Sequence, residues 1–534
     1  MSFVKDEAIA GRLKVEVGSN TLKLLAALLV AFATVGILST ARVFSGTVDE
    51  PAHIAAGMQW LTTDRYDYDL QHPPIGRVAA AIGPYLSGAR GNNAGGVFDE
   101  GAAILGTGAQ YVDRLASARY GEILFFVVMA LVVWAWSRRL AGEVGAIVAT
   151  LFLVTNPTVL AHAGLATTDI ACAATTMLAL FAATWWIEQP TLVRSTLFGA
   201  AIGAAIGSRL SAIAFVGGSL VTCYLIRGIA ERRWSFGGTA KRSGLAMAGV
   251  AAAMLFVIWM TYRFDAGPFI AGVERFLLHG SSGHPTFLLG TPRNRGWWYY
   301  FPVALLVKTP LPLLIATLLG GAYVISAWRK GRDWRVAVPF ASAMTILAIS
   351  LTVKVDLGVR LVLPVYPLMA IVGAQGLAYL LREHATRTTH AFAAVMLVCA
   401  IVIPIRSHPD HLAYFNALAG DHPENVLVDS NLDWGQDLYR LRDTIVARGI
   451  TDTVRVAYFG TADLTAAGVP RARLLGLHER ATGWIAASET YLAGEWVGRA
   501  YMWLLEYPEV ARIGPSMRLW YIPPDSATRG SLPR

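Results

Sequence analysis

Charged residues are scarce in this sequence. Only 15% of its 534 residues are Asp, Glu, Lys or Arg, where a soluble chain carries roughly 25%. That deficit excludes an ordinary soluble globular protein. Cysteine is nearly missing as well: Cys172, Cys223 and Cys399 are the only three, each inside an apolar stretch, so no disulfide framework holds an outer domain together. The first 20 residues are mixed and polar, and no small-residue cleavage site follows the apolar run that begins near Leu22, so the first hydrophobic segment reads as a retained span rather than a signal peptide. There is no low-complexity tract and no internal repeat of the transporter type. The net charge of +9 is not gathered on one face or in one domain, which argues against nucleic acid as a partner.

What the sequence has in abundance is hydrophobic residues, 55% of the chain, with a mean hydropathy of +0.48. A helix needs about 20 residues to cross a bilayer. Apolar stretches near or somewhat below that length fall at 22–40, 119–137, 143–157, 169–187, 194–208, 211–227, 243–262, 299–327, 336–353, 360–380 and 390–405, giving about eleven spans of a polytopic α-helical membrane protein. Basic residues collect in alternate connections: Lys5, Arg12 and Lys14; Arg138 and Arg139; Arg194; Arg227, Arg232, Arg233, Lys241 and Arg242; Arg329, Lys330, Arg332 and Arg335; Arg382 and Arg387. The positive-inside rule places all of these, and the N-terminus, in the cytoplasm. The outer side then receives 41–118, about 157–168, 263–298, 354–359 and everything after 405.

The chain changes character at that point. Residues 1–405 form the membrane module. In 406–534 the apolar runs shorten to strand length at 426–428, 454–459, 484–487 and 519–522, with a helical pattern from Gln436 to Ala447. Alternating strand and helix signals a small α/β domain on the outer face, ending in a loose tail from about Pro523.

The first outer segment, 41–118, concentrates the chemistry. Thr47-Val48-Asp49-Glu50-Pro51-Ala52-His53 follows the first span directly. Acids at the membrane surface are functional candidates, although Asp49 before Pro51 equally suits a helix N-cap; the two roles are compatible. Further on, Asp69-Leu70-Gln71-His72-Pro73-Pro74-Ile75-Gly76-Arg77 puts Arg77 in the first turn of a helix, where free amides and a guanidinium suit a phosphate. The plain alternative is a rigid corner with a solvated Arg. The outer histidines His53, His72, His279 and His284 show no tight ligand spacing. Asp429, Asn431 and Asp433 alternate as in a calcium loop but lack its later Glu, so Asp433 reads as the cap of the following helix.

These motifs, with Thr167-Thr168-Asp169-Ile170, the run from Gly283 to Gly290, Trp297 to Pro302 with Lys308-Thr309-Pro310, Arg360 to Pro367, His411 to Asn416 and Ser430 to Leu438, together resemble glycosyltransferase family 39, the protein O-mannosyltransferase group. They are similar as well to the lipid A aminoarabinose transferases, which share the GT-C fold. The ordered set covers nearly the whole chain. Arg77 departs from it, standing where the mannosyltransferases usually have Lys.

The resemblance implies an inverting transfer of a hexosyl or pentosyl unit from a polyprenyl-phosphate sugar to a hydroxyl of a protein, glycolipid or polysaccharide, among membrane lipids, at the outer face of a bacterial cytoplasmic membrane. A phosphate leaving group needs cations rather than a general acid, and the acceptor needs a carboxylate base. Asp49 is then the expected base, with Glu50 positioning it or supporting an ion and Asp169 facing it across the outer cavity. Arg77, Lys308 and Arg360 are the donor-phosphate candidates; His53, His72, Arg119, Arg209 and His284 are further substrate-binding candidates. No metal or other cofactor is expected to be required, and a divalent ion is the alternative that the zinc of the aminoarabinose transferases suggests. The rival function is a transporter or flippase of lipid-linked sugars.

Overall fold

The computed structural model describes residues 19–232, 240–331 and 333–524. Lys5, Arg12, Lys14, Arg233 and Arg332 of the sidedness reading, and the tail after 524, lie outside the described residues. Eight described helices are long and apolar enough to cross a membrane, and two shorter apolar helices accompany them, Leu192–Ser208 and Trp334–Ser350. One of the eight contains Ile123–Val154, whose backbone leaves helical geometry at Gly142 (φ 74°, ψ −170°). The two halves match the expected segments 119–137 and 143–157 and bring the apolar helical segments to eleven among the described residues. The expected span 299–327 is interrupted. It divides at Thr309-Pro310 into Tyr300–Lys308 and Leu311–Arg329, because Pro310 has no N–H to continue the helix.

Small residues set the closest packing. A Cβ on Gly376 would run into the backbone of Gly320, so helices Leu311–Arg329 and Val365–Glu383 touch backbone to backbone, as membrane helices do where small residues meet.

The first outer segment is itself helical: Glu50–Thr62, Pro74–Leu86, Val97–Leu105 and Ala109–Tyr120. A Cβ on Gly57 would strike the Arg77 carbonyl, so glycine there allows the first two of these helices to lie in contact.

A hairpin of β1 (Thr286–Leu288) and β2 (Thr291–Arg293) is tied to the later chain by Leu289 N–H donating to the Val426 carbonyl at 3.0 Å. The C-terminal domain is a five-stranded sheet of β3 (Val454–Ala457), β4 (Ala472–Leu474), β5 (Gly483–Ser488), β6 (Ala511–Ile513) and β7 (Met517–Ile522) in the order β4-β3-β5-β7-β6. β4, β3 and β5 run parallel, and β7 joins β5 antiparallel with Ile485 opposite Trp520. Helix Leu438–Ala447 follows the expected pattern.

Two local expectations are corrected. Val426–Val428 is not a strand; it leaves a single 3₁₀ turn, with Val426 and Leu427 N–H both donating to Pro423 O. Asp433 does not cap the next helix. Asp437 stands at that N-cap, and Asp433 turns inward to accept from Gly435 and Thr490 N–H.

Candidate active site

Asp49 begins helix Glu50–Thr62 with its backbone alone. Its carbonyl accepts from His53 N–H at 3.1 Å, while its side chain makes no capping bond. The carboxylate is left to face Arg360, whose Nη1 donates to Asp49 Oδ2 at 2.8 Å. The same nitrogen stands 3.8 Å from Asp169 Oδ2. Asp169 opens helix Asp169–Glu188, is 1% exposed, pairs with Arg209 through Oδ1 and accepts from Thr167 Oγ1 at 3.0 Å through Oδ2. Asp49 is the open member, with 28% of its side chain exposed against 9% for Arg360. The Arg360 guanidinium lies 4.3 Å over the Trp434 ring, a cation–π contact that fixes its plane. Two acids and two guanidinium groups from four separated parts of the chain therefore alternate in one cluster.

Glu50 and Arg119 hold that cluster together. Arg119 Nε and Nη2 grip both Glu50 oxygens at 2.7 Å, and its other donors go to the carbonyls of Ala41, Phe44 and Ser45. Glu50 also accepts from Thr47 and Ala166 N–H at 2.8 and 2.9 Å. Burial would raise the Glu50 carboxyl, but Arg119 and these two amides outweigh it and hold it below its ordinary value. The pair joins the top of the first span to the residues just before Asp169. It leaves Glu50 no oxygen turned toward solvent, since its exposure is 0%.

Arg77 is not solvated. It is fully buried and donates from Nε to His53 Nδ1 at 3.1 Å, from Nη1 to the Tyr66 hydroxyl and the Asp69 carbonyl, and from Nη2 to the Asp69 carboxylate. His53 must be neutral to accept. Burial and the Arg77 charge push it well below the usual imidazole value. His72 Nδ1 donates to Asp69 Oδ2 at 2.9 Å. Lys308 is equally committed, its ammonium donating to the Leu412 and Asn431 carbonyls at 2.7 and 2.6 Å, 4.3 Å above Phe415. His284 packs edge-on against Trp496, 4.4 Å between ring centres, and Trp496 Nε1 donates to Asp429 Oδ2 at 3.2 Å.

The residues 409–437 are woven into this assembly. Asn416 N–H donates to the Val307 carbonyl and Asn431 Oδ1 accepts from Val359 N–H. Val48 N–H donates to the Trp434 carbonyl at 3.1 Å. Two residues of the site were not among the sequence candidates: Trp434, within the segment Ser430 to Leu438, and His162, which is buried with Nδ1 3.9 Å from Asp169 Oδ2 and is pushed by burial down to about 4. A lone His in an apolar stretch gives no sequence signal. Among the described residues no group of three or more His, Cys, Asp or Glu side chains is arranged to hold a metal ion.

Residues 111–262, which carry Arg119, Asp169 and Arg209, match the family model described as dolichyl-phosphate-mannose-protein mannosyltransferase. No curated protein matches the chain in sequence. Among solved structures, ArnT from Cupriavidus metallidurans in the apo state is similar at 16% identity and a TM-score of 0.51, over 94% of this chain and 98% of that one. The Archaeoglobus fulgidus oligosaccharyltransferase in the apo form is similar at 11% identity and a TM-score of 0.50, over 84% of this chain and 63% of that one. The chain therefore has the GT-C fold, a multi-pass helical membrane module with a small C-terminal sheet domain.

Proposed function

We propose that the protein is an inverting glycosyltransferase that moves a sugar from a polyprenyl-phosphate donor to a hydroxyl acceptor. The observation that carries this reading is the Asp49–Arg360–Asp169–Arg209 cluster: one accessible carboxylate beside cations, set at the end of a membrane helix. Asp49 takes the proton of the acceptor hydroxyl as its oxygen bonds to the anomeric carbon from the face opposite the donor oxygen. The bond from that carbon to the phosphate oxygen breaks, and the polyprenyl phosphate departs with the electron pair. Its charge needs preorganised cations. Arg360 and Arg209 are assigned that role in place of Arg77 and Lys308, most of whose donors are taken up inside the protein. Asp169 orients both guanidinium groups. Glu50 and Arg119 are positioning residues that fix the Asp49 loop against residue 166. No metal takes part in this scheme, and nothing in the fold favours the transporter alternative.

The test is transfer by the purified protein in liposomes, given polyprenyl-phosphate hexoses and pentoses in EDTA, with release of polyprenyl phosphate and a glycosylated product read by mass spectrometry. Release coupled to product formation with inversion is expected. Donor movement across the bilayer with the sugar–phosphate bond intact would overturn the reading.

A further inference from the structure

Helix Asp169–Glu188 links two charged clusters. Its 20 residues, at about 1.5 Å each, set Glu188 about 28 Å from Asp169, one bilayer core away. At the Glu188 end lies a cavity of about 330 Å3 lined by Trp136, Arg139, Thr184, Glu188, Asp333 and Arg335 among others. That volume is at the lower end of the roughly 300–1,000 Å3 typical of small-molecule sites.

Its charge is organised by Glu188. Arg139 Nη2 donates to both Glu188 oxygens at 2.8 and 2.9 Å, and Arg335 Nε donates to Oε1 at 2.7 Å. Arg335 Nη1 takes Asp333, while Arg194, 3.9 Å from Glu188, gives one Nη1 hydrogen bond to the Trp185 carbonyl. A carboxylate at a helix C-terminus opposes the macrodipole, so the three guanidinium groups stabilise it. They also exceed what it needs, since three positive charges meet the two negative charges of Glu188 and Asp333. Among the described residues Arg139 Nε and Nη1 and Arg335 Nη2 carry no hydrogen bond. Arg139 and Arg335 are 37% and 40% exposed.

The surroundings are apolar and aromatic. Trp185 is 40% exposed and has Arg139 and Arg194 over its ring at 5.5 and 6.0 Å, the amphipathic arrangement found at headgroup level. Leu192 and Val193, in the same turn as Arg194, are 60% and 69% exposed and offer an apolar surface to acyl chains. Basic pockets between membrane helices bind anionic headgroups. We propose that this cavity binds the phosphate headgroup of an anionic membrane phospholipid, with the uncommitted N–H groups of Arg139 and Arg335 on the phosphate and Glu188, which both guanidinium groups share, competing with it for their charge. The site lies at the opposite end of the helix from the Asp49 cluster and does not depend on the proposed transfer reaction.

The full-length protein is placed in phosphatidylcholine bilayers doped with phosphatidylglycerol, and lipid retained after gentle extraction is counted by native mass spectrometry. Wild type is expected to retain phosphatidylglycerol over phosphatidylcholine. The double variant R139Q/R335Q is expected to retain it about thirtyfold more weakly, the product of two basic groups lost near an anionic surface, while R387Q, on helix Arg387–Ser407, behaves as wild type. E188Q removes the competing carboxylate and is expected to retain more phosphatidylglycerol; it decides the matter if the double variant does not fold. Wild-type retention by E188Q, or by a folded R139Q/R335Q, overturns the proposal. So does displacement of the lipid by glycerol 3-phosphate, which would assign the cavity to a soluble phosphate.

Discussion

Arg360 reaches back 311 positions to donate a 2.8 Å hydrogen bond to Asp49. That contact closes the helical module on its first outer segment and places a fixed cation beside the one well-exposed carboxylate of the cluster. Substitution Arg360→Gln keeps the length but removes the charge from the place where the leaving phosphate develops. We expect the turnover number to fall by about 10² to 10³, the scale of losing one preorganised electrostatic donor. Arg360→Lys should recover part of it. Steady-state transfer rates at saturating donor check this.

Asp49 and Glu50 are neighbours with opposite duties. Glu50→Gln leaves Arg119 buried beside a neutral partner, and breaking a buried pair in this way costs about 3–5 kcal/mol. The expected result is a large drop in thermal stability in detergent, measured by the unfolding midpoint, with any loss of transfer tracking the loss of folded protein.

Arg77 explains why this chain departs from the Lys expected by resemblance. Its guanidinium divides among His53, Tyr66 and Asp69, a fork that a single ammonium does not reproduce. Arg77→Lys should strand at least one buried acceptor, at a cost of about 1–3 kcal/mol. A lowered unfolding midpoint with little change in donor KM is the expected pattern; a raised KM with unchanged stability would return Arg77 to the donor phosphate.

The C-terminal segment should make stability fall as pH rises. Burial pushes Asp433 up to about 7, above the roughly 3.9 of a free Asp. The folded chain thus holds a proton that the unfolded chain releases, so this stabilisation is complete below about pH 4 and is lost as pH rises through about 7. Asp437, pushed by burial up to about 6, and Asp356, up to about 7, act in the same direction. Unfolding midpoints measured between these limits should decline for wild type and decline less for Asp433→Asn.

The membrane helices were legible because apolar length is a composition signal that needs no partner. Basic residues from three alternate connections, Arg139, Arg194 and Arg335, do converge on Glu188. β3, β5 and β7 were legible from their apolar runs. β4 and β6 are three residues each, Ala-Arg-Leu and Ala-Arg-Ile, too short and polar to announce themselves, and they exist because longer neighbours offer them an edge. In the site, the sequence could pair acids with cations only in principle. It could not reveal that Asp69, eight residues before Arg77, already occupies that guanidinium. Nor could it show that Lys308 turns to two backbone carbonyls, because both facts depend on how distant segments meet.

The central claim is that Asp49 accepts the proton of the acceptor hydroxyl. Asp49→Asn preserves shape and removes the basic oxygen. In membranes supplied with a polyprenyl-phosphate sugar that wild type uses, the account predicts that the folded, membrane-inserted variant loses at least about 10²-fold in transfer rate, as removal of a general base does. Transfer by that variant at the wild-type rate would contradict it.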